Sequence, residues 1–174
     1  MTCRVIHAHP VSGSFSAALC DAVADGVRDG GIEPVVTHLG PDVCGPDAAA
    51  LTGTDALHLV YPTWWGGPPA EMLDWIQRIL GPWVDGPSRD PSPLAAVTTL
   101  TAVTTHGSSA LVNRLQGEPG RQLVTRVVAP LCHPDVEVEW IALYAIEATD
   151  RTAREAFLDR ARRSVALTSG AARR

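Results

Sequence analysis

Ala56-Leu57-His58-Leu59-Val60 runs into Tyr61-Pro62-Thr63-Trp64-Trp65-Gly66-Gly67-Pro68-Pro69-Ala70, and that stretch leads into Glu71-Met72-Leu73-Asp74-Trp75-Ile76-Gln77-Arg78-Ile79-Leu80. The first segment is short, apolar and bounded by turn residues, which predicts a buried strand over 56–60. The last segment alternates apolar and charged residues with helical spacing, which predicts a helix over 69–80 with Pro69 at its start, where no intrahelical acceptor awaits its missing N–H. Between them lies a loop with two adjacent tryptophans beside paired glycines. Successive residues point in different directions, so burial in a core accounts for one indole better than for both. A flat apolar surface next to accessible backbone suits a planar aromatic ligand.

Further strands and helices lie on either side, without an internal sequence repeat. Cys3-Arg4-Val5-Ile6-His7-Ala8 reads as a buried strand, followed by the turn Val11-Ser12-Gly13-Ser14 and a helix from Phe15 with Leu19, Val23 and Val27 on one face. Asp29-Gly30-Gly31 ends that helix. A second strand is expected over 34–39, a loop with one helical turn at 47–51 before the third strand, and a Pro/Gly/Ser-rich surface loop or hairpin over 83–93. The later part of 94–104 reads as a fourth strand closed by a polar turn at 104–109. A helix over 122–132, a fifth strand over 136–144 and a last helix over 150–167, capped by Asp150 or Thr152, complete the chain. Strands separated by helices imply parallel pairing with right-handed crossovers. The expected architecture is α/β: a single domain over 1–174 with a three-layer, doubly wound, five-stranded parallel sheet of order 2-1-3-4-5.

Composition narrows the function classes. All 14 basic residues are Arg, there are 19 acidic ones, and the net charge is -5 without a basic run. That argues against nucleic acid and against an anionic membrane surface as partners. The four arginines Arg162, Arg163, Arg173 and Arg174 read as a solvated tail. No apolar run reaches membrane-spanning length and the N-terminus lacks a signal-peptide layout, so no membrane insertion is expected. Cys3, Cys20, Cys44 and Cys132 are scattered, which fits free thiols in a reducing cytoplasm. His7 and His9 would share one side of a strand, but no third ligand stands near them in sequence and no metal site is expected.

In an open parallel sheet, ligands bind beyond the C-terminal ends of strands at the switch point. Here those are the loops 9–16, 61–69 and 104–109. The first offers Ser12, Ser14 and Ser16 at a helix N-terminus, where backbone N–H groups and the helix dipole favour an anion. An ordinary Ser N-cap explains the same residues. The third brings Thr104, Thr105 and Gly107 as hydrogen-bonding groups and His106 as a candidate proton donor or acceptor near neutral pH. A surface histidine without a role fits that position equally. No G-x-G-x-x-G, Walker lysine or G-x-S-x-G elbow is present.

These three stretches resemble those of the flavodoxin-like NAD(P)H:quinone oxidoreductases, the group of DT-diaphorase and its shorter bacterial relatives. His9-Pro10-Val11-Ser12-Gly13-Ser14-Phe15-Ser16 is similar to the family's phosphate loop, with Ser16 where Asn is usual. Tyr61 through Ala70 is similar to its Pro-x-Trp-Trp-x-Gly-x-Pro-Ala flavin loop, and Val103-Thr104-Thr105-His106-Gly107 to its Thr-Thr-Gly loop. The resemblance implies bound FMN, with FAD as the alternative for members carrying a C-terminal extension. It implies NAD(P)H as electron donor and a homodimer. His9, Ser14, Phe15 and Ser16 would hold the phosphate side. Pro62, Thr63, Trp64, Trp65 and Gly66 would line the flavin ring, and Thr104, Thr105 and Gly107 its edge, with His106 as the candidate catalytic group. Gly66 and Gly67 replace bulkier residues, which predicts a wider pocket for a quinone-like or polycyclic aromatic acceptor, as in a biosynthetic tailoring reductase. A flavodoxin-type electron carrier, or a cofactor-free relative doing acid/base chemistry on an aromatic substrate, are the alternatives.

Overall fold

The computed structural model describes the whole chain except Ser12, Pro41, residues 85–89 and residues 172–174, and leaves aside the side chains of residues 170 and 171. Five strands form one sheet: β1 (Cys3–Ala8), β2 (Val35–Leu39), β3 (Ala56–Thr63), β4 (Thr99–His106) and β5 (Glu137–Leu143). All pairings are parallel and the order is β2-β1-β3-β4-β5, as expected. The helices are α1 (Phe15–Asp29), α2 (Ala48–Leu51), α3 (Ala70–Val84), α4 (Ala110–Leu115), α5 (Pro119–Leu123) and α6 (Arg151–Ala171).

Side chains alternate across each strand, so the sheet has two apolar faces. On one, Ile6, Leu57, Leu59 and Leu100 pack with Met72, Trp75, Ile76 and Ile79 of α3 and with Val124 and Val128. On the other, Val5, Val60, Val103 and Ile141 pack with Leu19, Val23 and Val27 of α1 and with Phe157, Ala161 and Val165 of α6. Helices α1 and α6 cross closely enough that a Cβ on Gly26 would collide with the Arg162 carbonyl oxygen. Among the described residues, no helix is long and apolar enough to cross a membrane.

Several boundaries differ from expectation for physical reasons. Strand β3 runs on through Tyr61, Pro62 and Thr63, which pair with Thr104, Thr105 and His106. Pro62 is tolerated in a central strand because the pairing with β1 ends at Val60, leaving that side of β3 free of a ladder needing its N–H. Strand β4 correspondingly absorbs Thr104, Thr105 and His106, which were expected in a turn. Helix α3 continues past Leu80 to Val84, with Pro82 close enough to its end to leave the earlier turns intact. Trp83 and Val84 therefore belong to it, and most of the expected loop after them lies outside the described residues. The segment expected as one helix over 122–132 is a succession: α5, a wide turn over Val124–Val128 and a tight turn over Ala129–Leu131. Pro130 cannot donate to the carbonyl four residues back, which disfavours regular α geometry there. Helix α4 was not expected. Asp150 caps α6, its carboxylate accepting the Ala153 N–H at 2.8 Å. Arg173 and Arg174 lie outside the described residues.

Candidate functional site

The Trp loop is a tight turn. Trp64 N–H donates to the Gly67 carbonyl at 2.9 Å and Gly67 N–H to the Trp64 carbonyl at 3.1 Å. The two central residues both have positive φ, 52° at Trp65 and 89° at Gly66, the signature of a type I′ turn. Glycine adopts that geometry freely; a tryptophan does so at a cost of order 1–2 kcal/mol. Trp65 bears this strain with its side chain fully in solvent, at 106% relative exposure, and Trp64 is 43% exposed. Neither is core. No internal packing rewards the strain at Trp65, which is the behaviour of a residue kept for contact with something else.

The glycines close this turn rather than widen it. A Cβ on Gly66 would lie 3.2 Å from Pro119 Cγ, and the Gly66 carbonyl accepts the Gly120 N–H at 3.1 Å. The backbone of α5 thus approaches the turn directly. Only the Gly67 position has open space beside it.

Opposite the turn stands the end of β4. Thr104 is buried, its Oγ1 2.8 Å from Thr63 Oγ1, so its side chain braces the β3 end instead of facing a ligand. Thr63 Oγ1 is also 3.5 Å from His106 Nε2. His106 is 5% exposed and stacks on Tyr144, with centroids 4.6 Å apart and planes inclined by 22°. Its Nδ1 has no hydrogen-bond partner. Burial lowers its pKa, against smaller opposing effects of Asn113 and Glu118, so the ring is neutral at pH 7. It is a partly enclosed neutral imidazole at a strand end, which departs from the surface histidine that was one of the two readings of the sequence.

The first loop reaches the turn through His9, whose ring meets Trp64 edge-on at 5.6 Å. His9 Nδ1 lies 3.0 Å from both the backbone nitrogen and the carbonyl oxygen of Val11, which holds the ring against the first loop. Ser14 is the N-cap of α1, its Oγ accepting the Ala17 N–H at 3.2 Å. Ser16 points inward, its Oγ 3.1 Å from His7 Nε2. Phe15 packs, half-buried, toward the core between α1 and α6. The hydroxyls of Ser14 and Ser16 are thus in contact with protein groups, and an anion there would draw on backbone N–H groups. Ser12 lies outside the described residues.

Between the turn and β4 lies an open depression of about 600 Å³, within the range of small-molecule and cofactor sites. Pro62, Thr63, Trp64, Trp65 and Gly66 form one wall, and Thr105, His106 and Gly107 the other. Asn113 of α4 and Gln116, which caps its end, complete it with Ile146 and Glu147. Of the residues singled out by sequence, those of the second and third loops meet here, except buried Thr104. Those of the first loop flank the site without lining it. Sequence reasoning missed Asn113, Gln116 and Tyr144. Helix α4 could have been sensed from Ser109 as N-cap and Gly117 after its end, since the Ser109 Oγ accepts the Val112 N–H. Tyr144 donates to Glu118 Oε1 at 2.9 Å, a contact across 26 residues that only the fold reveals.

No protein-family profile matches the chain, and no curated protein does. Solved structures do. An NAD(P)H:quinone oxidoreductase from Methanothermobacter marburgensis superposes with a TM-score of 0.71 at 19% identity, over 97% of this chain and 96% of that one. An FMN-dependent NADH-azoreductase from Bacillus anthracis, solved with FMN, gives 0.68 at 9% identity over 99% of each chain. A flavodoxin, WrbA-like protein from Agrobacterium tumefaciens gives 0.61 at 16% identity, over 99% and 98%. At such identities the likeness is one of fold, and the fold is flavodoxin-like.

Proposed function

We propose that this chain is a flavin-dependent NAD(P)H oxidoreductase that binds FMN against the Trp64–Gly67 turn and reduces a quinone-like or polycyclic aromatic acceptor. The observation that carries the reading is Trp65: strained, wholly solvent-exposed, and standing over a depression at the carboxyl ends of β3 and β4. The flavodoxin-like fold, shared with structures described as a quinone oxidoreductase and an FMN-dependent azoreductase, supports it.

The residues present fit a flavin. The indoles of Trp64 and Trp65 offer flat apolar area, and the backbone of Thr105, His106 and Gly107 offers hydrogen-bonding groups on the facing wall. The unpartnered Nδ1 of His106 is a buried polar atom in want of a partner at that wall. Bound flavin would supply the two-electron relay between NAD(P)H and the acceptor. The protein's own contribution is position. Thr104 fixes Thr63, and Thr63 together with Tyr144 fixes the ring of His106, which as a neutral imidazole can hold a proton on Nδ1 or accept one there. The phosphate would rest on N–H groups at the start of α1, an anion site that needs no lysine.

A homodimer fits the exposed Leu111 and Leu115 on α4 beside the depression, and four free cysteines fit a reducing cytoplasm. The visible spectrum of the purified chain tests the proposal. Flavin absorbance, release of FMN on denaturation and quinone-dependent NAD(P)H oxidation are expected. A colourless protein that takes up neither FMN nor FAD on reconstitution would overturn it.

A further inference from the structure

A second cluster of ligand-type side chains lies away from the depression. His7 on β1 and His38 on β2 are register partners, so their side chains stand side by side on one face of the sheet. Their Nδ1 atoms are 2.9 Å apart. Helix α1 covers this face and presents Ser16 and, one turn on, Cys20. Ser16 Oγ meets His7 Nε2 at 3.1 Å. One ligand atom each from His7, Cys20 and His38 lies within 4.8 Å of the others. His7 and Cys20 are buried, while His38 is exposed. The sequence paired His7 with His9 and found no third ligand. The fold separates those two ring centroids by 6.5 Å and supplies His38 and Cys20 in their place.

We infer that His7, Cys20 and His38 form a site for a thiophilic divalent cation of the zinc class, with a water or anion completing a tetrahedron on the exposed side of His38. Two imidazoles and one thiolate are a zinc-type donor set, and neither magnesium nor calcium would select it. The two imidazole nitrogens already stand near the spacing of zinc ligands, and Cys20 would close in on them. Bonds of about 2.0–2.1 Å to nitrogen place two ligand nitrogens roughly 3.3 Å apart, a few tenths of an ångström beyond the present separation. The exposed ring of His38 can yield that distance. Ser16 plays the orienting part that metal-bound histidines require: accepting a bond from His7 Nε2–H, it leaves the lone pair of His7 Nδ1 facing His38. In the metal-free protein the His38 Nδ1–H donates to that lone pair. On metal binding, the His38 proton moves to the solvent-facing Nε2 and the Cys20 thiol releases its proton to solvent. One proton leaves per cation, and no redox change is involved.

The cluster is independent of the flavin reading, because none of its three residues lines the depression. It would tie the start of α1 to the ends of β1 and β2, directly beneath the first loop. Cobalt(II) is the probe, added to the full chelator-treated chain carrying Cys44→Ser to remove the exposed thiol. Tetrahedral ligand-field bands in the red, beyond flavin absorption, and a thiolate-to-cobalt charge-transfer band should rise to one cobalt per chain and be displaced by zinc. Cys20→Ala should lose the charge-transfer band. His38→Ala, at an exposed position, should lose saturable binding. Folded protein without these bands, or bands unchanged in both variants, would overturn the site.

Discussion

The two walls of the depression are built on opposite principles. The Trp64–Gly67 turn leaves its large side chains in solvent and stores backbone strain at Trp65. The end of β4 is buried, and Thr104 and His106 both meet Thr63 of the neighbouring β3, with only His106 Nδ1 among them left without a partner. A surface meant for a planar ligand must remain open until the ligand arrives. The surface that positions it must be rigid beforehand. The difference predicts that perturbing the buried strands costs stability, while perturbing the tip of the turn costs binding.

Acid should expose the contrast most strongly, since the turn has no titratable group and the buried strands do. Burial pushes His58, on β3, down to about 4, and lowers His106 in the same direction. The unfolded chain takes up these protons near pH 6.5 and the folded chain resists. The stabilising contribution is therefore complete above about pH 6.5 and is lost as the pH falls from there toward 4. For His58 the loss is roughly 3 kcal/mol. Denaturant unfolding at about pH 7.5 and about pH 4.5 should show it, and His58→Leu should narrow the difference; an equal difference in the variant would place the acid sensitivity elsewhere.

Next in size is the base of the turn, where the two regions meet. Gly66→Val places a β-branched residue at φ 89° with its Cβ 3.2 Å from Pro119 Cγ. A loss of about 2–3 kcal/mol is expected, because strain and the clash with α5 add. Unchanged stability would mean that the turn tolerates a side chain there. Thr104→Val is smaller. It keeps the volume and removes the partner of Thr63, for about 1–2 kcal/mol in thermal or denaturant unfolding. A larger weakening of FMN binding than of stability would mean that Thr104 touches the ligand, contrary to its buried position.

How much of this could be read in the sequence follows from which forces are local. Most strands were legible because their apolar runs end at Gly, Pro or Ser, the sheet order because helices alternate with five strands, and α1 because Leu19, Val23 and Val27 repeat at helical spacing. The location of the three loops followed from the order. The conformation of the turn did not. A positive φ at Trp65 is decided by the Trp64–Gly67 bonds and by Pro119, which lies more than fifty positions away in the sequence, and so Gly66 was read as widening a pocket that it helps to close. Likewise the orientation of Ser16 and the pairing of His7 with His38 depend on register, which spacing along one strand cannot supply. Helix α4 is too short for a periodic signal and betrays itself only by its caps. The end of β4 looked like a turn because Thr, His and Gly are common in turns, whereas pairing with β3 extended the strand through His106.

Trp65 offers the smallest change in stability and the sharpest separation of the two walls. In Trp65→Gly the left-handed conformation no longer costs anything sterically, a relief of order 1–2 kcal/mol, partly offset by the 0.5–1 kcal/mol of chain entropy that a glycine adds to the unfolded state. The fully exposed indole contributes no buried area to be lost. A net gain of up to about 1 kcal/mol in denaturant unfolding of the flavin-free chain is expected. The same substitution deletes the largest flat surface of the turn, so the FMN dissociation constant should rise by roughly tenfold or more, the scale of one lost ring-stacking contact. Opposite signs in the two measurements on one variant would identify the strain as a functional investment. If the variant were less stable and bound FMN as well as the parent chain, Trp65 would be holding the turn together, and the division between an open, strained wall and a closed, braced one would fail at its clearest point.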